Sequence, residues 1–136
     1  MKIVFSEGKE SFQKDYEGKT LIGMKIGEEF DGGLIGLDGY KLKISGGSNK
    51  EGTAMRVDVK GTGKTKALLS GGPGIRFLRK GKRVKKMVAG NTVSDRTAQV
   101  NAKITAKGSK TLADLGFTPK PKEAKKAEEK KDEKKK

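Results

Sequence analysis

Twenty glycines against only three prolines interrupt most of this chain at short intervals, the punctuation of turns between short elements. Glycine supplies the positive φ that tight reversals need, so glycine pairs between apolar segments mark turns. They stand at Gly32-Gly33, Asp38-Gly39, Gly46-Gly47, Gly61-Thr62-Gly63, Gly71-Gly72-Pro73-Gly74 and Gly90-Asn91. No window sustains an apolar stripe at i, i+3, i+4 and i+7, although short helices are expected near residues 20–26 and 111–115. The remaining segments alternate. In Met55-Arg56-Val57-Asp58-Val59-Lys60 and in Tyr40-Lys41-Leu42-Lys43-Ile44, apolar and charged residues take turns, which is the period of a half-buried strand. Residues 98–104 repeat the pattern, with Ala98, Val100, Ala102 and Ile104 facing in and Gln99, Asn101 and Lys103 facing out. Residues 2–5 and 66–69 are strand candidates with less regular alternation, and residues 12–16 are the weakest. Short strands separated by turns predict an all-β fold, a small barrel whose closure removes exposed edges. No internal repeat is evident.

The length of 136 residues fits one domain and a tail. Five Phe, two Tyr and a modest set of aliphatic residues make a small core, so the domain should gain stability from a bound partner. The chain contains no Cys and no His. Disulfides, thiolate nucleophiles, Cys-based zinc sites and the commonest general base are thereby excluded, and neither a metal nor another cofactor is expected. No stretch approaches the roughly 20 apolar residues that span a bilayer, and the apolar run at residues 3–5 is too short for a signal peptide. A cytoplasmic location is expected, with no membrane partner and no small-molecule substrate.

The formal net charge is +15, which favours a polyanionic partner. That charge is localised. Residues 1–58 carry 9 basic and 10 acidic side chains, whereas residues 59–94 carry 10 basic ones and no acid at all. Solvated charged faces normally mix signs because like charges repel. Thirty-six residues between Asp58 and Asp95 without one carboxylate fit nucleic-acid binding better. The densest part runs from Arg76 through Arg79, Lys80, Lys82, Arg83 and Lys85 to Lys86. Beyond Pro119 and Pro121 the tail holds only Lys, Glu, Ala and Asp, so residues 119–136 are expected to be a disordered or marginally helical appendage to a domain at 1–118.

Three motifs invite a chemical reading. Gly61-Thr62-Gly63-Lys64-Thr65 looks like the end of a phosphate-binding P-loop, but the position of the first glycine is Asp58 and a strand candidate follows Thr65 where a helix is needed. It reads as a hairpin loop, in which Lys64 can touch a phosphate without catalysis. Gly71-Gly72-Pro73-Gly74 reads as a tight turn that brings Arg76 and Arg79 against a partner. Phe77 lies among these cations, where an aromatic ring can stack on an unpaired base, but a lone Phe is expected to pack in the core. Glu28, Glu29 and Asp31 match no calcium-loop spacing and read as a solvated turn.

The segment Ile44-Ser45-Gly46-Gly47-Ser48-Asn49-Lys50-Glu51-Gly52-Thr53-Ala54-Met55-Arg56 resembles the signature of the archaeal and eukaryotic small-subunit ribosomal protein six family. Asn49 stands where the family usually has Asp, and Ala54 where it has Pro; Asn keeps the capacity to hold a turn. The stretches Leu68-Leu69-Ser70-Gly71-Gly72-Pro73-Gly74, Arg79-Lys80-Gly81-Lys82-Arg83-Val84-Lys85-Lys86 and Gly90-Asn91-Thr92-Val93-Ser94 resemble its archaeal, short branch. The resemblance covers about residues 1–118 and is most specific over 40–94. It implies a small β-barrel that binds ribosomal RNA as a non-catalytic constituent of the small subunit, with neighbouring ribosomal proteins as further partners. The longer eukaryotic members end in a phosphorylated Ser cluster. This chain has no Ser, Thr or Tyr after Thr118, so that regulation does not carry over.

The residues themselves indicate how RNA would be held. Arg bridges two phosphate oxygens, whereas Lys acts as a point charge. Arg76, Arg79 and Arg83 are the expected positioned contacts, Lys80, Lys82, Lys85 and Lys86 the general neutralisers, and Lys60, Lys64, Lys66 and Arg96 secondary contacts. A non-ribosomal nucleic-acid binder, such as a chromatin or RNA-chaperone protein, is the alternative that charge alone leaves open.

Overall fold

A computed structural model describes residues 1–108, Leu112 and Phe117. The expected tail at 119–136 lies outside the described residues, as does the expected helix at 111–115 except for Leu112. Seven strands run in chain order: β1 (Lys2–Glu7), β2 (Glu10–Asp15), β3 (Glu29–Asp31), β4 (Lys41–Asn49), β5 (Lys64–Leu69), β6 (Val84–Ala89) and β7 (Thr97–Ala106). A single turn of 3-10 helix, Gly32–Ile35, follows β3 and is capped by the Asp31 carboxylate, which accepts from Gly33 N at 3.1 Å. The other turn-forming acid, Glu28, accepts from Lys25 N at 2.9 Å. The acidic cluster thus holds backbone donors at a strand start and a helix cap.

The all-β class is as expected, but the barrel is not formed. Five strands make an open sheet in the order β2-β1-β7-β4-β3, and β5 and β6 make a separate two-stranded ribbon. Closure would require β2 to pair with β3. Instead β3 pairs with β4 over only three residues before the 3-10 turn carries the chain away. The apolar face of the sheet is covered by turns and coil, not by its own far edge. Ile3, Phe5, Phe12, Phe30, Leu42, Ile44, Val100 and Ala102 project from the sheet into one core with Tyr16, Leu21, Ile35, Leu37, Val93 and Leu112. Phe117 packs on this cluster edge-to-face with Phe5, ring centroids 5.2 Å apart.

Two of the three interior strands of the sheet, β4 and β7, contain segments of regular alternation. β7 pairs parallel with β1 and antiparallel with β4, and Val100 and Ala102 are buried while Lys103 is exposed. β4 runs well beyond the expected residues 40–44. Gly46-Gly47, expected as a turn, lies inside this strand at a register shift between Ile44 and Gly46. A side chain at Gly47 would run into Gln99 O and lie 3.0 Å from Met55 Sδ. The glycine therefore serves close approach of β4 and β7, as strand glycines at bulges commonly do.

Two other expectations fail. Residues 20–26 form successive turns, not a helix, with Ile22 N donating to Lys19 O at 3.0 Å and Met24 N to Leu21 O at 3.2 Å. Residues 55–60 do not form a strand. Ala54 and Met55 make single bridges to Ser48 and Ala89, and the chain then turns at Val57-Asp58, leaving Val57 61 % exposed. The following loop is pinned instead by Asn91, whose backbone N donates to Val59 O and whose side chain accepts from Gly61 N.

Candidate nucleic-acid interface

The ribbon and the loop that joins its strands carry nine of the ten basic residues of the acid-free segment. β5 and β6 pair antiparallel from Lys64↔Ala89 to Leu69↔Val84. Directly paired residues share a face, and successive residues alternate. Lys64, Lys66 and Lys85 therefore lie on one face together with Leu68 and Met87, and Lys86 lies on the other. Residues 70–83 connect the two strands and carry Arg76, Arg79, Lys80, Lys82 and Arg83. One hairpin thus unites every candidate contact except Lys60, in the loop pinned by Asn91, and Arg96, in the turn before β7. All of these basic residues are exposed.

Strand β6 passed unnoticed in the sequence. Val84-Lys85-Lys86-Met87-Val88-Ala89 has no period of two, because only Val88 and Ala89 at its end are buried. The rest of the strand stands in solvent, where nothing requires alternation.

The loop at the ribbon's tip is fixed at its base. Arg56, whose side chain is 11 % exposed, donates through Nη1 to Gly71 O and Pro73 O, both at 3.0 Å. Its Nη2 meets Asp58 Oδ2 at 2.6 Å. One guanidinium thereby fastens the glycine turn to the core side of the molecule. Gly72 and Gly74 have φ of 89° and 86°, so the turn itself is as expected. Beyond it, Ile75 N donates to Gly72 O and Lys82 N to Arg79 O, both at 3.1 Å. Arg56 was not among the expected functional residues. Its partners lie 15 and 17 residues along the chain, which no local pattern discloses.

The hairpin itself contains no acid, so any carboxylate that meets it comes from elsewhere in the chain. Among the described residues, the ion pairs are Arg56–Asp58, Lys64–Glu51 and Lys107–Glu7. Lys64 is the only candidate contact in this set. Its hydrogen bond holds the Glu51 carboxyl below the ordinary glutamate range, against an opposing effect of burial and with lesser attraction from the Lys64 and Arg96 charges. Likewise the hydrogen bond to Glu7 raises the Lys107 ammonium above its ordinary value.

Gly61-Thr62-Gly63 leads into β5, not into a helix, and Gly90 closes against it. Gly90 N donates to Gly63 O at 2.9 Å, and a side chain at Gly90 would collide with Gly61 O. There is no helix N-terminus at which a nucleotide phosphate would be cradled. Phe77 is also placed contrary to expectation: its ring is fully exposed, not packed in the core. The loop is anchored through Arg56 and its glycines, and no strand face turns Phe77 inward.

Comparison with known proteins accords with this arrangement. A chain from Methanosphaera stadtmanae named small ribosomal subunit protein eS6 is 46 % identical over 121 residues, covering 87 % of this chain and 93 % of the relative. Proteins of the same name from Methanobrevibacter smithii and Methanothermobacter thermautotrophicus are 47 % and 45 % identical over 115 and 117 residues. Each alignment covers 84 % of this chain and at least 90 % of the relative. The family model described as ribosomal protein S6e matches residues 1–116, which takes in the open sheet, the basic hairpin and the Arg56 anchor, and the chain belongs to that family.

Proposed function

We propose that this protein is a structural constituent of the small ribosomal subunit that binds ribosomal RNA through the basic segment 59–94. A ribosomal protein of this family is not an enzyme, and its place is the ribosome in the cytoplasm. The observation that carries the RNA reading is the acid-free hairpin. Arg76, Arg79, Lys80, Lys82 and Arg83 are all exposed on its connecting loop, and no ion pair among the described residues occupies them. Cations without internal partners are available to displace the counterions condensed on a phosphate backbone. Arg76, Arg79 and Arg83 position phosphates through their planar forks, while Lys66, Lys80, Lys82, Lys85 and Lys86 neutralise charge around them. Lys60, Lys64 and Arg96 extend the footprint, and neighbouring ribosomal proteins complete the set of partners.

The test is a salt titration of binding to purified small-subunit rRNA, with duplex DNA of equal length as competitor. A preference for the rRNA that persists as salt rises is expected. Replacing Arg76, Arg79 and Arg83 by Ala should leave the circular dichroism spectrum unchanged and reduce the log–log salt slope by about 2–3. Equal affinity for RNA and DNA, lost together with salt, would instead support a non-ribosomal nucleic-acid binder. An unchanged slope in the triple variant would remove these arginines from the interface.

A further inference from the structure

Phe77 combines two unfavourable features. Its ring is 101 % exposed. Its φ of 51° makes it the only non-glycine residue with positive φ among those described. An apolar ring gains nothing from water, and a bulky residue in the left-handed region holds a strained backbone. Strain of this kind persists where the surrounding structure enforces it, and it gathers at contact sites. Here the enforcement is visible. Arg56 fastens the loop base, the Gly72 to Ile75 turn precedes Phe77, and the Arg79 to Lys82 turn follows it.

The surroundings select the partner. Arg76 adjoins Phe77, and Arg79 and Lys80 follow within the same exposed loop. Its apolar neighbours in sequence, Ile75 and Leu78, are partly buried, whereas the cations on both sides are exposed. A protein pocket for an aromatic anchor excludes charge from its centre, which disfavours a protein partner here. A single ring flanked by cations fits an unpaired nucleotide, whose base offers a π face and whose flanking phosphates need neutralising. We infer that Phe77 is a stacking platform for an unpaired base of ribosomal RNA, with Arg76 and Arg79 on the phosphates to either side. The inference rests on the RNA reading above and adds to it a contact that salt does not screen.

The chain contains no Trp, so Phe77→Trp places a single indole at this position. Its fluorescence should be quenched by a single-stranded RNA oligonucleotide and left unchanged by a duplex of equal length. Phe77→Asn tolerates the left-handed backbone and removes the ring. Its affinity for small-subunit rRNA should fall roughly 5- to 150-fold at every salt concentration, with the log–log slope unaltered. Parent-like affinity of Phe77→Asn, or equal quenching by the duplex, would overturn the stacking role while leaving phosphate binding in place. Failure of the unsubstituted protein to prefer small-subunit rRNA over DNA would overturn the RNA reading, and the stacking role with it.

Discussion

Lys64 is the candidate contact already held by an acid, and the pair with Glu51 therefore competes with any phosphate. The lowered Glu51 carboxyl has a defined consequence for pH. A group whose folded pKa lies below its unfolded value contributes stability above the unfolded pKa, and that contribution fades as pH falls through the folded one. The Glu51 side chain is exposed and that of Lys64 partly so, and the pair is a screened surface interaction. Lys64→Ala should return the Glu51 titration, followed by carboxyl-carbon NMR, upward to the ordinary glutamate range. Removing the competitor should have the opposite sense for binding. Glu51→Gln should steepen the log–log salt slope of rRNA binding by about one phosphate contact, near 0.9. An identical slope would mean that Lys64 reaches no phosphate.

Which elements were legible in the sequence follows from where each one is buried. β4 and β7 have one face on the core over residues that alternate regularly in sequence, whereas β1, also buried on one face, alternates less regularly and carries a weaker signal. β6 has its first four residues in solvent and so carries no such signature. Gly46-Gly47 was read as a turn because a glycine pair marks a reversal more often than a bulge, and only the contact with Gln99 on β7 discloses the difference. The alternation at 55–60 was real but found no strand edge to pair with beyond the bridge to Ala89. The interface divides the same way. Charge was legible because a carboxylate-free run can be counted, whereas Arg56 acts through carbonyls distant in sequence. Its role is open to a direct check. Arg56→Ala removes hydrogen bonds from a charged, largely buried donor and should cost about 1–3 kcal/mol in urea unfolding. Amide exchange at Ile75, whose N donates to Gly72 O, should quicken, and rRNA affinity should fall as the loop loses its shape. Unaltered exchange at Ile75 would show that the loop holds its shape without this anchor.

Across the whole molecule, stability and charge are kept apart. The five-stranded sheet buries Ile3, Phe5, Leu42, Ile44 and Val100, each at most 1 % exposed. The ribbon contributes only Leu69, Val88 and Ala89 to the buried set, and Leu68, Val84 and Met87 remain in solvent. A two-stranded ribbon is marginal on its own, so this one depends on its attachments to the rest of the chain. Those include the Met55–Ala89 bridge, the Ala89 N bond to Ala54 O at 2.9 Å, the Lys64–Glu51 ion pair and the Arg56 anchor. The same lysines that would bind phosphate also guard its exposed edges against pairing with another chain. Such a division places local opening in the ribbon and global unfolding in the sheet. Native-state hydrogen exchange should accordingly show β5 and β6 amides opening at lower free energy than those of β1, β4 and β7. Ligands that bind the folded form stabilise it by RT ln(1 + [L]/Kd), about 2.7 kcal/mol at a hundredfold excess over Kd. Bound to small-subunit rRNA, the ribbon amides should slow most, and the protection should shrink as salt weakens the complex. Uniform protection across sheet and ribbon in the free protein would mean that both open as one cooperative unit. The rRNA would then be binding a hairpin already as firm as the core, with no ordering of the hairpin left to contribute.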